Sequence, residues 1–392
     1  MFVSHLALTD FRSYAHVALD LSGGVTALIG PNGQGKTNLV EAVGYLAKLS
    51  SHRVATDAAL VRVGQHQALI GARVERAGRT ATVEVMITPG HPNRGRVNGG
   101  APGRARDILG VLRTVQFAPE DLSLVKGDPD GRRRFLDELL VQMRPSLASV
   151  LVDYDRILRQ RSALLKSAAG AARASGRLDV RTLDVWDAKL AATGARIVVA
   201  RAQVTTALAP AVADAYAHVS ASDGRAQIAY CPAVDSAPSG VIEDELVTEN
   251  VELRLLDAMT RLRSREIERG VCLVGPHRDD VTLTLGDLPA KGYASHGESW
   301  SFALALRLAS ATLLRDGAGA GDWVADWGPD GDPVLILDDV FAELDVRRRD
   351  RLADLVAPAG QVLVTAAVPG DVPPGLLGTR LNVMDGQVTG VG

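Results

Sequence analysis

Residues Gly30-Pro31-Asn32-Gly33-Gln34-Gly35-Lys36-Thr37 spell GxxxxGK[ST] in full. The motif dictates its surroundings as well as its chemistry, because a buried strand must deliver the chain into the turn and a helix must leave it. Both are predicted here. Val25 to Ile29 is a short apolar run ending at Gly30, and beyond Lys36 the residues Leu39, Val43 and Leu46 recur at helical spacing to about Leu49. In that setting the glycines let successive N–H groups point inward at phosphate oxygens, and the helix start adds partial positive charge. Lys36 is expected to reach the β- and γ-phosphates of ATP and the Thr37 hydroxyl to ligate Mg²⁺. The loop from Gly30 to Thr37, with Asn38 behind it, is the candidate nucleotide site.

A phosphate loop needs carboxylates from elsewhere in the chain. Val334-Leu335-Ile336-Leu337-Asp338-Asp339 reads as a buried strand ending in two of them. Asp338 suits the role of holding Mg²⁺, and Asp339 that of orienting or deprotonating the attacking water. The two halves of the site are separated by residues 38 to 333, which implies a nucleotide-binding head split by an insertion.

The insertion reads as helix. Asp128 can cap and Pro129 can open a helix. Leu147, Val150, Leu151, Tyr154, Ile157 and Leu158 make one stripe, and Leu183, Trp186, Leu190, Ile197, Val204 and Leu208 make a second at near-heptad spacing. Gly170 to Gly176 is a small-residue break between them, as in an antiparallel helical hairpin. Residues 220–240 look less regular. Before the insertion, Ala68–Val74 and Thr80–Ile87 predict a hairpin turning at Ala77-Gly78. After it, strands are expected at Val271–Val274 and Gln361–Thr365, a helix over 299–314, and a Gly- and Asp-rich loop over 316–332. The expected fold is α/β, a P-loop ATPase head with an inserted, mainly helical second lobe. The expected division is 1–127 and 269–392 for the head and 128–268 for the lobe.

Composition removes several function classes. Cys231 and Cys272 form no CxxC pair, so a zinc site is not expected and a reducing compartment is. No basic, apolar leader and no run of about 18 apolar residues occurs, so a cytoplasmic protein with no membrane partner is expected. Aromatic residues make up 4% of the chain and the net charge is −3, so any nucleic-acid site must rest on local arginines rather than stacking. The candidates are Arg132-Arg133-Arg134, Arg261 with Arg263 and Arg265, and Arg347-Arg348-Arg349.

Two further segments narrow the ATPase class. Ser295-His296-Gly297-Glu298, ahead of a predicted helix, resembles the ABC signature, whose serine and backbone reach the γ-phosphate held by a second subunit. Ala342-Glu343-Leu344-Asp345 follows Asp338-Asp339 at the spacing of the ABC D-loop. The order of motifs then resembles one family, the RecF recombination mediators. It is carried by Phe11-Arg12-Ser13-Tyr14, Ser51-His52-Arg53, Phe117-Ala118-Pro119-Glu120-Asp121-Leu122, Lys126-Gly127-Asp128-Pro129 and Gly275-Pro276-His277-Arg278-Asp279-Asp280. The likeness runs from Phe11 to Thr365.

The resemblance implies an ABC head related to SMC proteins, with a compact helical lobe in place of their long coiled coil. It implies an ATP-dependent homodimer, DNA binding, slow hydrolysis, and cooperation with RecR and RecO in loading RecA. It adds Arg12, Gln116 as the Q-loop residue, Ser295 and Gly297 to the nucleotide site, and makes His277-Arg278 a site-facing turn. Glu298 departs from the glutamine common at that signature position, and no switch histidine follows Thr365. A transporter nucleotide-binding subunit and a P-loop kinase for a small metabolite are the competing readings.

Overall fold

The computed structural model describes residues 1–175, 181–220, 225–233, 247–317 and 331–390. The chain opens with strands β1 (Phe2–Phe11), β2 (Tyr14–Asp20) and β3 (Gly24–Ile29) and helix α1 (Lys36–Lys48). Strands β4 (Ala68–Arg76), β5 (Arg79–Ile87), β6 (Arg94–Val97), β7 (Gly103–Arg104) and β8 (Thr114–Phe117) follow. Then come helices α2 (Leu122–Lys126), α3 (Pro129–Met143), α4 (Leu147–Ser175) and α5 (Arg181–Ser220), strand β9 (Ala226–Cys231) and helix α6 (Thr248–Arg269). The remainder is β10 (Asp280–Leu285), β11 (Leu288–Pro289), α7 (Ala290–Tyr293), α8 (His296–Asp316), β12 (Val334–Asp338), α9 (Val346–Val356), β13 (Gln361–Ala366), β14 (Gly378–Met384) and β15 (Gln387–Gly390).

Two six-stranded sheets enclose α1. One is antiparallel, in the order β2-β1-β4-β5-β6-β7. The other runs β15-β14-β3-β13-β12-β8, with every pair parallel except β14–β15. Leu39, Val40, Val43 and Leu46 of α1 share a core with Val3, Ile70 and Val85 of the first sheet and with Ile336 and Leu363 of the second. The opposite face of the parallel sheet buries Val25, Ala27, Leu335, Leu337, Val362 and Val364 against α8 and the helical insertion. Burial on both faces explains why β3, β12 and β13 read as continuous apolar runs rather than alternating ones. Helix α8 is buried almost all round from Ser299 to Leu314 and fastens the insertion to the sheet.

Inside the insertion, α4, α5 and α6 meet at Arg161. This guanidinium is fully buried and pairs at 2.6 Å with both Asp187 and Glu266. Such a cluster is held together by mutual compensation, and removing one partner leaves an unpaired charge at a cost of about 3–5 kcal/mol. Strand β10 pairs with β9, so a three-stranded sheet stitches the segment after residue 269 to the insertion. No helix among the described residues is long and apolar enough to cross a membrane.

Several local expectations are corrected. Val271–Val274 forms no strand, because its polar groups are taken by side chains: Glu266 accepts Leu273 N–H, and Arg278 donates twice to the Cys272 carbonyl. Asp128 precedes α3 but does not cap it, and instead faces Lys291 at 3.3 Å. Helix α4 runs through Gly170 to Ser175, whereas Gly176 lies outside the described residues. The irregular stretch contains β9, whose Ala226 and Ile228 alternate inward. Most of the loop expected at 316–332 lies outside the described residues.

Candidate functional site

The phosphate loop sits at the carboxyl ends of parallel strands, the usual place for a ligand in an open α/β sheet. Two of its glycines are required by close neighbours. A Cβ on Gly30 would stand 2.1 Å from the Val383 carbonyl oxygen of β14. Gly35 has φ 102°, and a Cβ there would stand 2.7 Å from the Tyr14 hydroxyl. Lys36 Nζ donates to the carbonyls of Gly30 at 2.7 Å and Pro31 at 3.0 Å, so the ammonium is held inside the loop. The Gln34 side chain accepts Asp385 N–H at 2.7 Å, tying the loop to the β14–β15 turn.

Strand β13 lies between β3 and β12, and Thr365 is the register partner of Asp338. The two halves of the site therefore meet. Thr37 Oγ1 donates to Asp338 Oδ1 at 3.0 Å, and Thr365 Oγ1 donates to the same oxygen at 2.7 Å. Asp339 N–H donates to Thr365 Oγ1 at 2.9 Å. Asp339 adopts left-handed φ 51°, a strained choice for a non-glycine residue and one often found where a site dictates the backbone. Burial and then the charge of Asp338 push its carboxyl above the ordinary aspartate range. Asn32, Asp339 and Thr365 line a cleft of about 180 Å³.

The residues present fit a magnesium nucleotide. Thr37 and Asp338 offer two hard oxygens side by side. The buried Tyr14 hydroxyl has no hydrogen-bond partner among the described residues and lies against Gly35 of the loop.

Gln116, in β8, turns its side chain towards Gly44 of α1, and its amide nitrogen lies 3.0 Å from His52 Nε2. That same ring nitrogen is 3.7 Å from Asp338 Oδ2, so His52 bridges Gln116 to the carboxylate. Arg12 is fixed against α1, donating through Nε at 2.9 Å and Nη2 at 2.6 Å to buried Glu41. Asn38 joins the same network, contacting Ser13 at 2.9 Å and Arg53 at 3.0 Å. His52, Thr365, Glu41 and Tyr14 are site neighbours that the sequence motifs do not predict. The histidine, glutamate and tyrosine lie outside the loop motif, and the part Thr365 plays depends on its register with Asp338.

Ser295 and Gly297 make no hydrogen bond to the phosphate loop among the described residues. Ser295 is the N-cap of α8: its side chain accepts Glu298 N–H at 3.2 Å, and Glu298 accepts Ser295 N–H at 2.8 Å. This reciprocal capping gives Glu298 a structural role and holds its carboxyl below the usual range, first through the Ser295 hydrogen bonds. The segment is exposed, with Tyr293 67% and Val346 70% accessible beside the signature-like and D-loop-like residues.

The Gly275–Asp280 turn faces the helical insertion rather than the nucleotide site. His277 Nδ1 is 2.7 Å from the Tyr154 hydroxyl, Arg201 donates to Pro276 O at 2.7 Å, and Asp280 receives Arg132 through two bonds. Burial, aided by the charge of Arg278, lowers His277 to about 4.

The same contacts take two members of the first arginine cluster, while Arg134 stays exposed. Arg132 is buried, and Arg133 is taken by Asp130 and the Asp279 carbonyl. Arg263 pairs with Asp184 and Asp187, and Arg348 with Asp345. A different basic face is open. Arg73, Arg94 and Arg104 project from the outer side of the antiparallel sheet, and none has an ion pair among the described residues. Arg94 and Arg104 are direct cross-strand partners, a like-charge pairing that costs stability unless an anion lies over it.

Residues 2–371 match the family described as RecF/RecN/SMC N terminal domain. The chain is 59% identical to the DNA replication and repair protein RecF of Beutenbergia cavernae, over 99% of both chains. It is 56% identical to that of Frankia alni, again over 99% of both. Among solved structures it resembles the recombination mediator protein RecF-ATPrS in the RecFOR pathway, with TM-score 0.85 and 25% identity over 100% of this chain and 98% of that one. The RecF-ATP structure gives TM-score 0.84 at 26% identity, with the same coverage. An Smc head bound to a winged-helix domain of ScpA shares the fold at TM-score 0.52 and 16% identity, covering 100% of this chain and 98% of that one.

Proposed function

The chain belongs to the RecF family of DNA replication and repair proteins, and from that membership we propose that it is an ATP-driven, DNA-binding recombination mediator of the cytoplasm. In this reading it binds ATP with Mg²⁺, closes into a homodimer on DNA at single-strand gaps, and works with RecR and RecO to load RecA. Slow hydrolysis reopens the dimer. The head comprises 1–127 and 269–392, and the helical lobe 128–268.

The observation that carries the reading is the asymmetry of the site. Lys36, Thr37, Asp338, Asp339 and Thr365 form one half. Among the described residues the exposed start of α8 at Ser295 forms no hydrogen bond with it, and exposed Tyr293 and Val346 flank a surface suited to a second copy. Two such chains related by a two-fold axis would complete each other's sites. Bound Mg²⁺ would neutralise charge developing on the phosphates. Thr37 and Asp338 would hold it, while Asp339, kept in place by Thr365, would orient the attacking water and accept its proton. Arg73, Arg94 and Arg104, which have no ion pair among the described residues, offer phosphate contacts for DNA.

The test is ATP turnover and sedimentation of the purified chain, alone and with double-stranded, single-stranded and gapped DNA. Dimerisation with ATP and faster turnover on DNA are expected. A chain that stays monomeric with ATP and ignores DNA would refute the proposal.

A further inference from the structure

The guanidinium of Arg348 lies directly over Gly297. A Cβ there would stand 2.7 Å from Nη2 of Arg348 and 3.0 Å from Cζ and Nη1. The same guanidinium donates through Nε to Ser301 Oγ at 3.0 Å and through Nη1 to the Asp345 carboxylate. Ser301 Oγ donates back to the Gly297 carbonyl at 3.1 Å, and Asp345 Oδ1 accepts Arg348 N–H at 3.0 Å. Arg348 thus clamps the first turn of α8 to the N-cap of α9.

From Asp345 the chain leads back to Asp339 through a single 3-10 turn, Val340–Glu343, and Leu344. Val340, Phe341 and Leu344 are buried, so this link has little slack. At its far end Asp339 is bonded to Thr365. An unbroken series of packed contacts therefore joins Ser295 and Gly297 to the carboxylate assigned to the attacking water.

We propose that Arg348 is a positioning residue that couples the two nucleotide sites of the dimer. The inference rests on the ATP-dimer reading above. There, the start of α8 in one protomer meets the nucleotide held by its partner, while Asp339 in that first protomer serves its own nucleotide. Arg348 adds a cation to the positive end of the α8 dipole. A phosphate arriving there competes with Asp345 for the guanidinium. This gives the open and closed states different interaction energies, which any coupling requires. Loosening the Asp345 contact shifts the short turn behind Asp339, so occupation of one site sets the geometry of the other.

The test is the ATP dependence of turnover in the full chain, with dimerisation followed by sedimentation. The parent should show sigmoidal ATP dependence with a Hill coefficient above one, up to its limit of about two for two coupled sites. Arg348→Ala and Arg348→Lys should both bring it to about one, and turnover at saturating ATP should fall roughly fivefold or more. Lysine keeps the charge but loses the fork that reaches Ser301 and Asp345 together. Nucleotide binding by the separated protomer should be unchanged, because Lys36 and Thr37 are untouched. Gly297→Ala, which displaces the guanidinium, should mimic Arg348→Ala, and the double variant should be no worse than either single one.

A parent that dimerises, with Arg348 variants that fold, bind ATP and retain its Hill coefficient, would overturn the inference alone. Additive effects of Gly297→Ala and Arg348→Ala would also overturn it. A parent that stays monomeric with ATP would remove the dimer reading and this inference with it.

Discussion

Thr37 and Asp338 stand 301 residues apart in the chain, yet the threonine hydroxyl donates to the aspartate carboxylate at 3.0 Å. Their meeting separates the roles of the two adjacent carboxylates. Asp338 faces the loop, with Thr37 and Thr365 both donating to one oxygen, while Asp339 is turned by its left-handed backbone towards the cleft. Asp338→Asn should weaken Mg²⁺-dependent ATP binding by about 10–100-fold, the scale seen when a group that orients a metal's shell is lost. Asp339→Asn should keep ATP bound while turnover falls by about 10²–10⁴-fold. Nucleotide titration and single-turnover hydrolysis check both, and equal loss of affinity in the two variants would defeat the division of labour.

Lys36→Ala should abolish ATP binding with little change in fold. Among the described residues the ammonium hydrogen-bonds to loop carbonyls, at Gly30 and Pro31, and to no carboxylate. A parent stabilised by ATP at about 100 times its dissociation constant gains about 2.7 kcal/mol, and the variant should gain none. Thermal melting with and without ATP reads this directly, and an undiminished shift in the variant would remove Lys36 from the site.

Stability should fall on the acid side through His277. Its folded-state value is lowered from 6.5 to about 4, chiefly by burial, so the unfolded chain takes up the proton first. The neutral ring is therefore favourable above about pH 6.5, and that advantage drains as pH falls towards 4, by up to about 3 kcal/mol. His277→Gln keeps a neutral partner for the Tyr154 hydroxyl and should show a smaller acid loss. Denaturant unfolding of both chains at several pH values measures the difference, and parallel curves would show that His277 is not the group responsible.

DNA affinity should fall steeply with salt and depend on the open face of the antiparallel sheet. Each phosphate contact contributes about 0.9 to the slope of log affinity against log salt. Replacing Arg73, Arg94 and Arg104 together by glutamine should lower the slope by roughly two to three, whereas Arg132→Gln should act on stability, because Arg132 is spent on Asp280. Fluorescence anisotropy across a salt series checks this, and an unchanged slope in the triple variant would exclude that face.

The phosphate-loop half of the candidate site is legible in the sequence wherever a motif needs a particular backbone. Gly30 and Gly35 are fixed by Val383 and Tyr14, and the apolar runs of β3 and β12 reflect burial on both faces. Residues chosen by tertiary partners were hidden. Glu41 looks like a surface residue of a helix until Arg12 and Ser51 are seen against it. Thr365 gains meaning only from its register with Asp338. Arg132 looked like a free cation because its partner, Asp280, comes 148 residues later. Charge runs record composition, whereas pairing across the fold decides which charges remain available.

Assembly is the sharpest consequence. In the proposed dimer Lys36 and Thr37 of one chain hold the nucleotide, and Ser295 of the partner subunit reaches the same nucleotide. Ser295→Arg places bulk and a cation at that point, but it also removes the N-cap of α8, a loss worth about 1 kcal/mol by itself. Ser295→Asp separates the two effects, because aspartate caps a helix as well as serine does while its charge repels a phosphate. Both variants should bind ATP like the parent and fail to dimerise, and only the arginine variant should melt earlier. Mixed with Lys36→Ala, either variant should recover at most one working site per dimer, since one composite site then draws its loop and its serine from intact halves. Sedimentation with ATP and Mg²⁺ decides the matter: if Ser295→Asp dimerises as tightly as the parent, the start of α8 does not meet the partner's nucleotide and the composite site must be abandoned.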